Sequence, residues 1–237
     1  PKGKAGTRLA VRLLDANGRA VAQKNLTANA QGTAAVQLNI ANAKAWSPEQ
    51  PYLYTLEVSL YQGNKLADRL RQRVGIRTVA VSKEHGFQLN GQSRKFKGVC
   101  LHHDLGPLGA AVNKAAIIRQ IRLMKDMGVD AIRTSHNMPS QMQMQVCDSM
   151  GMMVMAESFD AWKEPKVKNG YNLFYDQWWR KDLENLIRGH RNHPSIVMWS
   201  IGNEIPEQWN KEGAQRAKDM TDYCHQLDNT RPVTCGG

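Results

Sequence analysis

From Phe96 to the end of the 237-residue chain, short apolar runs and amphipathic helical segments take turns without a break. This alternation constrains the fold more than any other feature, because two parallel strands joined in sequence need a helical crossover between them. Phe96 to Leu101 reads as a strand. Lys114 to Met127 reads as a helix with Ile117, Ile118, Ile121 and Met124 on one face and Gly128 at its end. Asp130 to Thr134 is extended, Ser140 to Met150 helical up to Gly151, and Met152 to Ala156 extended again. Asp176 to His190 is a helix, Ile196 to Ser200 a strand, Gly213 to Leu227 a helix, and Pro232 to Cys235 opens a fifth strand. A doubly wound sheet and an eight-stranded barrel both satisfy that order. The first strand runs into Gly98-Val99-Cys100-Leu101-His102-His103 where a nucleotide-binding fold places a glycine-rich loop, which favours the barrel.

The first 79 residues follow a different grammar. Leu9, Val11 and Leu13 alternate with polar residues, and Asn17-Gly18 follows as a hairpin turn. Val36-Leu38-Ile40 alternates again, and Tyr52 to Leu60 forms a longer alternating run before Gly63-Asn64. Several short strands at this spacing predict a β-sandwich over 1–79, followed by a truncated (β/α)8 TIM barrel of about five strands over 80–237.

Composition excludes little. Thirty-two Lys and Arg against 21 Asp and Glu give a net charge of +11. The basic residues are scattered, often beside Asp and Glu at helical spacing, and no basic run is interleaved with aromatics. They read as solvated faces facing acidic surface elsewhere, and no nucleic-acid partner is expected. No apolar run approaches the roughly 20 residues of a membrane span, so no membrane partner is expected either. A start at Pro1 suggests a piece of something longer, and the compartment stays open between periplasm and cytoplasm. Cys100, Cys147, Cys224 and Cys235 lack metal or disulfide spacing and read as small buried hydrophobes. Trp178 and Trp179 read as packing between helix and barrel.

In a barrel of this kind the active site lies at the C-terminal ends of the strands. The first strand ends on His102, His103 and Asp104, and the second on Arg133 to Asn137. The third ends on Glu157, Ser158 and Asp160, and the fourth on Asn203 and Glu204. Four strands delivering polar groups to one rim predict a site, since burying them without a ligand or mutual hydrogen bonds costs too much. Carboxylates among His, Asn, Arg and Trp suit glycoside hydrolysis, where an acid protonates the glycosidic oxygen while a second carboxylate attacks or activates water. A metal-dependent hydrolase built on His102, His103, His136 and Glu157 is the alternative. Adjacent histidines on one strand point to opposite faces, which weakens it.

The run from His193 to Glu204, HPSIVMWSIGNE, closely resembles the signature of glycoside hydrolase family 2. Lys97 to Asp104, Arg133 to Asn137 and Trp46 to Tyr54 resemble the family's first and second barrel strands and its immunoglobulin-like domain, in the expected order. Met138 departs from the proline that often follows Asn137 in relatives. The resemblance implies a retaining exo-β-glycosidase, best read as a β-galactosidase, acting on terminal β-linked sugars. It implies that Glu204 is the acid/base residue and that Asn203 holds the hydroxyl beside the anomeric carbon. It also implies that His103 and His136 contact substrate and that Arg133 orients carboxylates. Glu157 would support Arg133 or the ligand, and Asp160 is a weaker candidate for a sugar hydroxyl. Trp199 reads as packing. The pattern with which some relatives bind metal after the third strand is missing from Glu157 to Trp162, so no metal or other cofactor is assigned. The nucleophile of the family is a glutamate near the seventh strand. The chain is therefore expected to carry half a site, to be inactive alone, and to offer an open barrel edge through which copies could pair. A non-catalytic carbohydrate-binding piece is a further alternative.

Overall fold

The computed structural model describes residues 5–236. It divides into two compact units, Pro1–Trp46 with Tyr52–Ile76, and Ser47–Pro51 with Arg77–Gly237.

The first unit is built on an antiparallel sheet of β1 (Arg8–Leu14), β2 (Ala20–Thr27), β3 (Tyr54–Gln62) and β4 (Lys65–Val74), in the order β2-β1-β3-β4. The Asn17-Gly18 turn forms because Asp15 Oδ1 accepts from the main-chain N–H groups of Asn17 and Arg19, both at 2.9 Å. The alternation in β1 buries Val11 and Leu13, and Leu14, Ala28, Trp46, Leu53 and Tyr54 are buried with them. One expectation needs correction. Val36-Leu38-Ile40 belongs to no strand, although these three are half-buried and their neighbours Gln37 and Asn39 exposed. Alternation there reports which side chains are covered, with no ladder to match. The two edge strands, β2 and β4, left no apolar signal because they are mostly exposed, and β4 is studded with arginine, as edge strands that resist pairing often are.

The second unit opens with a small antiparallel sheet of β5 (Val79–Ser82), β6 (Gly86–Leu89) and β7 (Gln92–Ser93). Five parallel strands follow, β8 (Gly98–His102), β9 (Ala131–Ser135), β10 (Met153–Glu157), β11 (Ile196–Asn203) and β12 (Val233–Gly236), in spatial order β12-β11-β10-β9-β8. Between them run α1 (Lys114–Asp126), α2 (Gln141–Met150), α3 (Tyr175–His190) and α4 (Lys211–Leu227). Strand order equal to chain order, with a helix at each crossover after β8, is the pattern of consecutive barrel strands. Three helices start on a side-chain cap: Asn113 accepts from Ala116 N, Ser140 from Gln143 N and Asn210 from Gly213 N. Each cap contributes about 1 kcal/mol. Gly151 ends α2 in the left-handed region at φ +71°, and a Cβ there would lie 2.3 Å from the Pro48 carbonyl oxygen. No other residue suits that corner.

The core lies between sheet and helices. Ile121 of α1, Met144 of α2, Leu183, Leu186 and Ile187 of α3 and Met220 of α4 are fully covered against Ile132, Val154, Ile196 and Trp199. Each large apolar side chain so buried stabilises the unit by roughly 1.5–3 kcal/mol. Cys147 and Cys224 belong to this core, but Cys100 is exposed. It stands on β8, the last strand of the sheet, and lines an open hollow with Phe96, Arg133, Met155 and Val197. Trp178 is also exposed, with the Lys181 ammonium 4.5 Å from its ring centre, whereas Trp179 packs against the core. No helix among the described residues is long and apolar enough to cross a membrane.

Candidate active site

Parallel pairing aligns the C-terminal ends of β9, β10 and β11, so the polar residues that follow each apolar run meet at one rim. Glu157, the last residue of β10, sits at the centre with no exposure. Its Oε2 accepts from Arg133 Nε at 2.7 Å and from Ser200 Oγ at 2.6 Å. Its Oε1 lies 2.7 Å from His136 Nδ1, and its main-chain N–H donates to Thr134 Oγ1 at 3.0 Å. A carboxylate this deep is tolerable only with such partners, and removing one would cost about 3–5 kcal/mol. Burial works to lower the Arg133 pKa, but the hydrogen bond and charge of Glu157 outweigh it and hold the guanidinium above its ordinary value.

Arg133 also reaches β11. Its Nη2 donates to Asn203 Oδ1 at 2.9 Å, while Asn203 Nδ2 donates to Asp160 Oδ1 at 2.9 Å. A cation on one side and a carboxylate on the other fix which way the Asn203 amide faces. Lys166 closes the group, donating to Asp160 Oδ1 at 3.0 Å and to the Asn203 carbonyl at 2.6 Å. Burial raises the Asp160 pKa, but the Asn203 and Lys166 hydrogen bonds prevail and keep it below the usual carboxylate range.

Glu204 follows directly, and its side chain is exposed at the edge of this buried group. Its backbone has φ +42°, a conformation that costs a residue with a Cβ about 1–2 kcal/mol. The strain is held from both sides. Glu204 N donates to the Gly236 carbonyl of β12 at 2.8 Å. On the other flank Gly202 lets Ile205 and the Trp162 indole approach within 3 Å of where a Cβ would stand, and Trp162 Nε1 donates to Ile201 O at 2.6 Å. The chain is thus bent so that the Glu204 carboxylate leaves the strand line and faces outward.

Arg133, His136, Glu157, Asp160 and Asn203 therefore form one connected network, with Glu204 at its solvent side. His103 does not join it. That side chain is exposed and its Nε2 pairs with the Ala110 carbonyl in the following loop at 3.1 Å. The neighbouring His102 is the closer of the pair, its ring edge-on to His136 at 5.1 Å. Sequence reasoning missed Ser200, Lys166, Trp162 and Gly236. Ser200 was within reach, since it directly follows Trp199 in the same string. Lys166 lies in a loop without periodicity and left no signal. Gly236 is required because a Cβ there would lie 2.3 Å from Arg133 Nη2. Among the described residues no three His, Cys, Asp or Glu side chains converge in a manner suited to a metal ion.

Two family models match the chain. The one described as glycosyl hydrolases family 2 covers residues 2–77, and the one described as glycosyl hydrolases family 2, TIM barrel domain, covers residues 79–237. A β-galactosidase of Bacteroides ovatus is 39% identical, over 94% of this chain and 30% of its own length. The β-glucuronidase of Felis catus is 36% identical, over 95% of this chain and 34% of its own. A crystal structure of a glycosyl hydrolase family 2 member from Bacteroides cellulosilyticus superposes with a TM-score of 0.93 at 39% identity, over 99% of this chain and 31% of that one. The chain thus spans about a third of the length of each of these three proteins.

Proposed function

The chain belongs to glycosyl hydrolase family 2, and from that premise we propose that the protein it comes from is a retaining exo-β-glycosidase whose acid/base residue is Glu204. One observation carries the reading. A carboxylate on a constrained backbone is presented beside an amide, Asn203, whose direction is fixed by Arg133 and Asp160. In the first step Glu204 donates its proton to the glycosidic oxygen as the bond from that oxygen to the anomeric carbon breaks. A second carboxylate takes the anomeric carbon, forming a covalent glycosyl-enzyme. Glu204, now a base, removes a proton from water, which releases the sugar with its configuration retained. Asn203 Nδ2, already polarised by Arg133, is placed to donate to the hydroxyl next to the reacting carbon.

Retention requires the two carboxyl groups roughly 5 Å apart. Glu157 is poorly suited to attack, because Arg133, Ser200 and His136 occupy its oxygens and it is wholly covered. We assign the nucleophile to a residue outside these 237. Roles in sugar contact go to Asn203, Asp160 and His136, and positioning roles to Arg133 and Glu157. His103 keeps a place only as a residue of the outer rim.

Terminal β-galactosides are the substrate we favour, on the likeness to the Bacteroides ovatus enzyme. β-Glucuronides are the second reading, on the likeness to the cat enzyme over the same span. Nitrophenyl β-galactoside, β-glucuronide and β-mannoside, offered to the full-length protein and to this chain, test both points. Turnover by the full-length protein alone supports the divided site and names the sugar. Turnover by the 237-residue chain would mean that a carboxylate within it attacks, and the assignment of the nucleophile would fall.

A further inference from the structure

The net charge of +11 is distributed very unevenly. The first unit, Pro1–Trp46 with Tyr52–Ile76, holds eleven Lys and Arg against three Asp and Glu, so it carries 11 − 3 = +8. The rest of the chain, more than twice as long, carries only the remaining 11 − 8 = +3. Register places much of that excess on one face of the sheet. Arg12 of β1 pairs with Glu57 of β3, which pairs with Arg71 of β4. One step along the same face, Ser59 pairs with Arg69; at the ends Arg8 pairs with Tyr61 and Thr55 with Arg73. Side chains alternate between faces, so Arg8, Arg12, Arg69, Arg71 and Arg73 all stand on the side of Glu57. Asp68, the other acid in these four strands, pairs with Leu60 and points the opposite way.

Glu57 is 1% exposed and works as an internal anchor. Arg71 Nε donates to it at 2.7 Å and Arg12 Nη1 at 3.3 Å, while Arg69 Nε donates to Ser59 Oγ at 3.2 Å. One carboxylate cannot saturate three guanidinium forks of five N–H donors each. The side chains of Arg12, Arg69 and Arg71 remain 44%, 42% and 60% exposed. Five cations and one carboxylate leave this face near +4.

We propose that this arginine face is a binding surface for an acidic polysaccharide, a glycan carrying carboxylate or sulfate groups. The inference rests on the glycosidase reading for the choice of glycan and on charge and geometry for the choice of anion. Arginine forks match carboxylate and sulfate oxygens two at a time; Arg71 already directs both Nε and Nη2 at one carboxylate oxygen, Glu57 Oε2. Residues of the same face recur every 6.6–6.8 Å or so along a strand, a spacing at which a linear polyanion can engage successive cations. Nucleic acid is the weaker match. The one aromatic ring here, Tyr61, is already covered by the Arg8 guanidinium at 5.1 Å, so no platform is left for bases to stack on.

The test uses the full-length protein and reads binding rather than hydrolysis, so a failure of the glycosidase assignment would leave it readable. Gel retardation in polygalacturonate or heparin is compared with a neutral galactan at about 50 mM salt. We expect retardation by the charged polymers only, lost as salt rises to about 200 mM. Arg8→Gln with Arg73→Gln, which leaves Glu57 and its partners intact, should weaken binding about tenfold. Arg69→Gln and Arg71→Gln together with Glu57→Gln removes the cluster without stranding a buried charge and should weaken it further. Equal retardation by the neutral polymer, unchanged binding by the variants, or no binding by the full-length protein would overturn the proposal. Tighter binding to duplex DNA than to either glycan would overturn it in favour of nucleic acid.

Discussion

The two ends of β11 carry buried polar networks of similar size and opposite character. Below the strand, Asp148 Oδ1 accepts from Ser195 Oγ at 2.6 Å and Ser195 N at 3.1 Å, and Asp148 Oδ2 meets His193 Nδ1 at 2.5 Å. His193 Nε2 in turn meets Gln141 Oε1 at 3.0 Å. Beside them Asp228 accepts from Trp199 Nε1 at 2.9 Å and Arg231 Nη1 at 2.5 Å, and Arg231 spends its other donors on the carbonyls of Ile196, Arg191 and His193. Arg77 caps Pro194 O and Ile196 O; burial, seconded by the charge of Arg231, brings its pKa down to about 9. This lower network closes on itself. The upper one, around Glu157, is closed at its base and ends in an exposed carboxylate on a strained backbone, Glu204. The difference separates what holds the barrel together from what the barrel presents, in keeping with stability at the N-terminal face and chemistry at the C-terminal face.

The largest effect should come from the open end. Glu204→Gln in the full-length protein should lower kcat about 10²–10⁴-fold on substrates with poor leaving groups and leave the melting temperature unchanged. A matching loss of stability would make Glu204 a structural residue and erase the contrast. At the closed end Asp148→Ala strands His193 and Ser195 and should lower stability by about 3–5 kcal/mol in denaturant unfolding, while the folded fraction keeps its activity. Loss of activity with stability intact would overturn the division between the two ends.

His190 sharpens the contrast by pH. Burial, helped by the charge of His193, brings its pKa from 6.5 down to about 4. The unfolded chain then binds a proton that the folded one refuses. Stability from this group is full above about pH 6.5 and is lost as pH falls toward 4, by roughly 3 kcal/mol. His190→Phe should flatten that slope in thermal unfolding measured against pH, and an unchanged slope would assign it elsewhere. The smallest effect is expected of Trp199→Phe, which removes one donor to Asp228 but leaves Arg231 in place. About 1 kcal/mol of stability should be lost with no change in kcat.

The comparison also explains what the sequence could tell. The run from His193 to Glu204 reads as one signature, yet the structure divides it. His193 and Ser195 serve the lower network, Trp199 the core, and Asn203 and Glu204 the rim. Elements were legible because their periods are local. The helices α1 to α4 and the five parallel strands declare themselves within a dozen residues or so. Glu157 and Asn203 could be gathered because each ends a strand, and Arg133 because it stands two residues before the end of β9, and strand ends meet in this topology. Partners fixed by tertiary packing alone were not legible. Asp148 lies 45 residues from His193, and Lys166 lies 37 from Asn203 in a loop that no pattern marks. The exposed arginines of β4 hid a strand, since their spacing carries no apolar alternation.

The central claim is that Glu204 gives and takes the proton, and azide rescue tests it most directly. The Glu204→Gln form of the full-length protein is given a dinitrophenyl glycoside of the preferred sugar, whose leaving group needs no protonation. The account predicts that the glycosyl-enzyme forms and then stalls, because no base activates water. Azide, which needs none, should restore turnover and yield a β-glycosyl azide of retained configuration. Unchanged hydrolysis without azide, or an α-azide product, would contradict the account.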